Sequence, residues 1–325
     1  MTERSAWFHL ARALRAAAIS FLLVGAAGSA LAPVPTARGR TAEPEPIPFP
    51  AGQSLPLKRV TFSGHRYVVA ADVGHPVPLM IHGNSGMFLS LTHEIGERVS
   101  GGPVSKREDY GYTSRGKGLI HVAALTLGSG RYSNLRDVPV FDFTEERGGP
   151  VQGMLGVAFL TTARAAVDFS RDALIVGVAV TAEPDPGLLR AGYACVAMRL
   201  GPDNKVTIPV YFPSLARTVP LTPSTVSTAL SLHRPLFAGK IAMKRDSIPN
   251  DQSPRGTRPE LFVSNEIEFE VAGRKLRSPA SLEDWAEYAK VPEKELRSFG
   301  MLGFDWMDEH RAVLDYANLR LYFMP

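Results

Sequence analysis

Gly153-Met154-Leu155-Gly156 opens a segment that runs to Val176, and Gly300-Met301-Leu302-Gly303 opens one that runs to Phe323. Laid over each other, the two share Arg164 with Arg311, Ala165 with Ala312, Asp168 with Asp315 and Leu174 with Leu321. Between the identities, shape is kept: Phe159 with Trp306, Leu160 with Met307, Val167 with Leu314, Phe169 with Tyr316. A repeat this long, in copies this far apart, implies two copies of one folding unit and not an array of short repeats.

The bulk of the chain agrees. Its 325 residues give a prior of roughly two domains, and 45% hydrophobic residues suit a globular protein with real cores. The net charge of +4 is spread along the chain, with no Arg/Lys run interleaved with aromatics, which argues against nucleic acid as a partner. The one cysteine, Cys195 in Tyr193-Ala-Cys-Val-Ala-Met, reads as a buried small residue and excludes a disulfide within the chain. At the N-terminus Arg4, Arg12 and Arg15 precede an apolar stretch from Ala16 to Ala27 and then Ala30-Leu31-Ala32, the pattern of an export signal over residues 1–32. An uncleaved membrane anchor is the competing reading, and cleavage implies a periplasmic or extracellular protein. Residues 33–54 read as a Pro/Ala-rich linker.

Upstream of each Gly-Met-Leu-Gly lies a second candidate pair, Val77 to Phe88 and Ile208 to Val219. Each reads as an apolar strand after a proline, a tight polar turn and another apolar strand. Helix starts are expected after Thr92 and Thr222, the latter with Pro223 at the first helical position. A further helix is expected from the Ser281-Leu-Glu-Asp284 capping box. Lys244 to Pro259 reads as a surface loop, and Glu183-Pro-Asp-Pro-Gly187 as the lobe boundary. Short alternating runs such as Tyr67-Val-Val-Ala-Ala, His121 to Leu127 and Ile267-Glu-Phe-Glu-Val predict a mostly β protein with a few short helices. The lobes expected are residues 55–182 and 187–325.

Over roughly residues 55–325 the chain resembles the aspartic peptidases, specifically their retropepsin-like bacterial relatives. The matching segments are 153–176 and 300–323, which are similar to the family's Gly-Leu-Leu-Gly-x-x-Phe-Leu stretch and its Arg-Ala-x-x-Asp-Phe strand. The resemblance implies an all-β, bilobal fold with a peptide cleft between pseudo-symmetric lobes, and no cofactor or metal. Tyr110, Gly111 and Tyr112 would then resemble the flap over that cleft, with Met87 and Phe88 as apolar walls. Where the family carries its first catalytic Asp this chain has His82, and in the second copy the equivalent residue is taken as Pro213. The family's chemistry needs two carboxylates sharing a proton, one as general base on water and one as general acid. Histidine and proline cannot reproduce it.

His82, Asn84 and Ser85 are therefore the candidate site residues. Each has a plainer reading: a turn histidine bonded to its own loop, and two polar side chains closing the turn. His93 could join His82 on a metal, but two histidines without a third ligand are weak grounds. Asp168 and Asp315 read as structural, with Arg164 and Arg311 as their charge partners or as exposed residues. Asp305 is unmatched in the repeat, and Asp137 and Asp142 read as edge or turn residues. Leu79 to Gly86 also looks like the oxyanion loop of α/β-hydrolases, but no Gly-x-Ser-x-Gly elbow occurs, which rejects that reading. Two functions stay open. One is an exported pseudoprotease that binds an extended peptide or protein segment. The other is a non-standard endopeptidase using His82 and unplaced carboxylates in the same cleft.

Overall fold

The computed structural model describes residues 52–61, 65–102, 104, 118–140, 149–226, 230–246, 260–289 and 291–325. The leader, most of the linker and Tyr110, Gly111, Tyr112 and Asp142 lie outside the described residues. Among the described residues no helix is long and apolar enough to cross a membrane.

Strands dominate, and their residues explain why. Val206–Phe212 buries Val206, Ile208, Val210 and Phe212 and turns the residues between them outward, the period of two that a half-buried strand requires. Two sheets built this way close on themselves. In the N-terminal lobe seven strands run in the order Lys58–Thr61, His65–Asp72, Pro76–His82, Gly153–Gly156, Leu89–Leu91, Gly130–Val140, Gly118–Leu127. Asp72 pairs with Thr126 and shuts the ring. In the C-terminal lobe eight strands do the same, closed where Tyr211 meets Glu270.

In each lobe the Gly-Met-Leu strand is threaded between two others. Gly153–Gly156 runs parallel to Leu79–His82 on one side and antiparallel to Leu89–Leu91 on the other. Gly300–Leu302 is parallel to Thr222–Pro223 and antiparallel to Leu230–Leu232. That crowding is why the motif begins with glycine. A Cβ on Gly153 would lie 2.5 Å from the carbonyl oxygen of Ser90, and one on Gly300 would overlap that of Ser231.

A third sheet joins the lobes. Its six strands run Gln53–Pro56, Ala173–Val176, Ala166–Asp168, Val313–Asp315, Arg320–Phe323, Ala194–Ala197. At its centre Val167 pairs with Leu314, Ala166 with Asp315 and Asp168 with Val313. Outward, Ala173 pairs with Asp168 on one side as Arg320 pairs with Asp315 on the other. Every pairing on one side thus has its counterpart across a two-fold axis through Val167 and Leu314. The fold is two pseudo-symmetric β lobes, with an aromatic seam where Tyr67 packs on Phe169 at 5.1 Å and on Phe304 at 4.8 Å.

Several local expectations are corrected. Thr92 does precede a helix, His93–Ser100, though its side chain makes no capping bond. Thr222 and Pro223 instead end the strand Arg217–Pro223, where pairing with Met301 and Leu302 overrides the helix-start pattern. Ser281 lies inside the strand Arg274–Glu283, and the helix begins at Trp285, where Asp284 Oδ1 accepts from the N–H groups of Ala286 and Glu287. The boundary stretch 183–187 runs into a short helix, Pro186–Arg190, capped by Asp185. Lys244 and Arg245 of the expected loop pair with Val263 and Phe262.

Candidate functional site

The site is set by where two parallel strands end. Beside the first Gly-Met-Leu-Gly, Met80 pairs with Met154, Ile81 with Leu155 and His82 with Gly156. Beside the second, Thr222 pairs with Met301 and Pro223 with Leu302. The next residue, Ser224, donates its backbone N–H to Leu302 O at 2.7 Å. Ser224 is therefore the counterpart of His82. Pro213 is not: it opens the 3-10 turn Pro213–Leu215 between Val206–Phe212 and Arg217–Pro223, the hairpin that answers to His65–Asp72 and Pro76–His82. The signal in sequence was the tripeptide Val-Pro-Leu, at Val77-Pro78-Leu79 and again at Val219-Pro220-Leu221. Read from there, Ser224-Thr225-Val226-Ser227 falls under His82-Gly83-Asn84-Ser85.

The two turns are bonded to each other. Thr225 Oγ1 accepts from the Gly83 N–H at 2.8 Å and donates to the Ile81 carbonyl at 2.7 Å. Thr225 is fully buried, so this one hydroxyl satisfies two main-chain groups of the opposite lobe. The reciprocal contact is missing because Gly83 has no side chain. Its place is taken by the Tyr316 hydroxyl, which lies 2.5 Å from where a Cβ on Gly83 would sit. Burial raises the pKa of Tyr316, and its hydroxyl has no hydrogen-bond partner.

His82 is partly buried, and its Nδ1 is enclosed without a partner. Its pKa is lowered to about 4, first by burial and then by the positive charge of Arg66; a backbone hydrogen bond opposes this, and Lys205 adds the smallest lowering. The imidazole is neutral at pH 7. No carboxylate is among the groups that shift it. Asn84 reaches into the other lobe, donating from Nδ2 to Met301 Sδ at 3.1 Å, while its Oδ1 is buried and unpaired. Ser85 closes the turn: its N–H donates to His82 O at 3.0 Å and its carbonyl accepts from Val157 N at 2.7 Å. Ser224 is fully buried, and its Oγ accepts from Val226 N at 3.3 Å.

Other candidates fall elsewhere. Met87 packs with Val226 against Val68, Met80, Val151 and Met154. Phe88 is half-buried and packs against the N-terminal core, edge-on to Phe159 at 5.4 Å. His93 Nε2 lies 3.4 Å from Glu97 Oε1, one helical turn on. Asp168 and Asp315 are 2% exposed and brace turns: Asp168 accepts from Ser170 and Arg171, Asp315 from Asn318. Arg164 and Arg311 are exposed turn residues, both at φ 46°, and the charge partner of Asp168 is Arg171. Asp305 is exposed beside His65, at 3.1 Å. Asp137 sits in Gly130–Val140 at φ 54°, where the register shifts.

No model of a known protein family matches the chain, and no curated protein matches it. Among solved structures it is similar to an aspartic proteinase from Irpex lacteus, at 11% sequence identity and a TM-score of 0.46, over 84% of this chain and 97% of that one.

Proposed function

We propose that this is an exported protein that holds an extended peptide between its two lobes and does not hydrolyse it. The carrying observation is the charge at the two strand ends. Peptide hydrolysis on an aspartic-peptidase plan needs two carboxylates sharing one proton. Here the corresponding positions carry His82 and Ser224, and the charges that act on His82 are both positive. A neutral imidazole whose charged form two cations disfavour does not share a proton with a hydroxyl in the way paired acids do. The unpaired His82 Nδ1 and Asn84 Oδ1 are enclosed, and the backbone amides of an extended peptide would reach them only with the turn opened. Export is supported by the N-terminal arrangement of arginines, apolar run and small residues.

The test has two halves. The purified protein is incubated with a mixed peptide library from pH 3 to pH 8, and product is sought by mass spectrometry. The same library is then offered for binding, read by fluorescence anisotropy. The expected result is binding without cleavage, since loss of a catalytic unit typically costs many orders of magnitude in rate. Turnover with an optimum near pH 4 would sink this reading, as would failure of every peptide to bind.

A further inference from the structure

We propose that Arg59 is a salt-sensitive latch between the two lobes, present on one side of the two-fold axis and absent from the other. It governs how readily the lobes part, and it stands whatever the cleft holds.

Arg59, on the strand Lys58–Thr61, donates from Nη1 and Nη2 to the two carboxylate oxygens of Asp308, each at 2.7 Å. It also donates from Nε and Nη2 to Asp172 Oδ1, at 2.9 and 2.6 Å. Asp308 lies on the helix Phe304–Glu309, which follows the second Gly-Met-Leu-Gly, so its pair with Arg59 crosses from the N-terminal lobe to the C-terminal half. The Arg59 pKa is raised, first by Asp308, against the opposing effect of partial burial. The Tyr67 hydroxyl donates to Asp172, and the guanidinium stands over the Tyr67 and Phe304 rings at 5.5 and 5.8 Å. His65 Nδ1 adds a second crossing contact, 3.1 Å from Asp305 Oδ1 on the same helix. The side chains of Arg59, Asp172 and Asp308 are 42%, 43% and 37% exposed, so dissolved salt reaches and screens them.

The repeat identifies what stands on the other side of the axis. With Asp168 laid on Asp315, Asp172 falls on Leu319, Asp308 on Thr161 and Asp305 on Ala158. Asp172 and Leu319 share a left-handed backbone, at φ 48° and 50°. Their carbonyls accept mirrored bonds, from the Leu57 N–H at 2.8 Å and from the Met198 N–H at 2.7 Å. Two residues beyond those donors stand Arg59 and Leu200, paired with Tyr67 and Val206. Leu200, Leu319 and Thr161 therefore replace the charged trio, and the Thr161 hydroxyl bonds within its own helix, to the Val157 and Ala158 carbonyls. Removing Arg59 would do more than loosen the charged side. Asp172 and Asp308 both accept from its Nη2, at 2.6 and 2.7 Å, and without it they face each other as like charges from opposite halves.

The Gly83 N–H reports parting of the lobes, because its acceptor is Thr225 of the opposite lobe. Its hydrogen exchange is measured by NMR on the purified protein, at low salt and in about 1 M sodium chloride. The amides of Leu79 and Met80, in a strand paired on both sides, serve as the reference for global unfolding. Gly83 should be less protected than this reference in the wild type. Arg59→Leu, which copies the other side of the axis, should speed Gly83 exchange about fivefold at low salt. Salt should then act with opposite signs. It weakens the latch and speeds Gly83 exchange in the wild type, but it screens the carboxylate repulsion and slows exchange in Arg59→Leu. Asp308→Thr removes the crossing pair without leaving like charges together, and should speed exchange about twofold with little response to salt. Equal protection of Gly83 and the reference amides would mean that the lobes part only on global unfolding, which overturns the inference. So would Gly83 exchange unchanged in Arg59→Leu, or a salt response of the same sign in that variant and the wild type.

Discussion

Lowering the pH tests whether the fold holds His82 neutral. Its pKa falls from 6.5 to about 4 on folding, through burial first and then Arg66 and Lys205. Between those values the unfolded chain binds the proton and the folded chain does not. Stability from this group is therefore fully present above about pH 6.5 and drains away as pH falls toward 4. At about 1.4 kcal/mol per pH unit the loss is at most about 3.5 kcal/mol. Because the residue is only partly shielded from water, the expected loss is about 2 kcal/mol. Urea unfolding at pH 7, 5.5 and 4 would measure it in the wild type and in His82→Gln, which keeps a polar side chain that does not titrate. Other acids titrate in both proteins and cancel in the difference. The wild type should lose about 2 kcal/mol relative to the variant between pH 7 and pH 4. A difference constant to within about 0.5 kcal/mol refutes the reasoning.

Thr225→Val removes the hydroxyl that bridges the turns and leaves the buried Gly83 N–H without an acceptor; urea unfolding should show a loss of about 2 kcal/mol. Gly83→Ala places a methyl against the Tyr316 hydroxyl and should cost about 1–3 kcal/mol. Tyr316→Phe should recover most of that, and a double-mutant cycle without coupling would mean that the clash is not the cause. N-terminal sequencing of protein from the cell envelope should find a mature chain starting between about Gly28 and Pro33; an intact Met1 on membrane-bound protein would indicate an anchor.

The shape of the fold was legible because the repeat falls on its most constrained parts. Gly153 and Gly300 are pressed by neighbouring carbonyls, and Asp168 and Asp315 brace buried turns, so the same residue types recur at both. The site was only half legible. His82 stands at a strand end as expected, but its counterpart was sought in the hairpin around Pro213, which shows the same strand-turn-strand pattern. What distinguishes the two hairpin strands is which one runs parallel to Gly300–Leu302, a pairing some eighty residues distant. No local pattern encodes that, and Val-Pro-Leu is a short trace of it. The partner of Asp168 was missed for a local reason. The left-handed backbone at Arg164 directs that side chain to solvent, while Arg171 lies three residues on, in the turn that Asp168 itself closes.

The two-fold axis through Val167 and Leu314 has a consequence for any attempt to study one lobe alone. Cut within residues 183–187, the N-terminal half would end its share of the central sheet at Ala166–Asp168, an unpaired edge. That edge is complementary to itself. In the whole chain Val313–Asp315 pairs with it in the register that a second copy of Ala166–Asp168 would adopt, residue 167 against residue 167. A contact of that kind closes at two copies and goes no further. An isolated half should therefore be handled as a homodimer in waiting, and its mass in solution depends on how much of it is present.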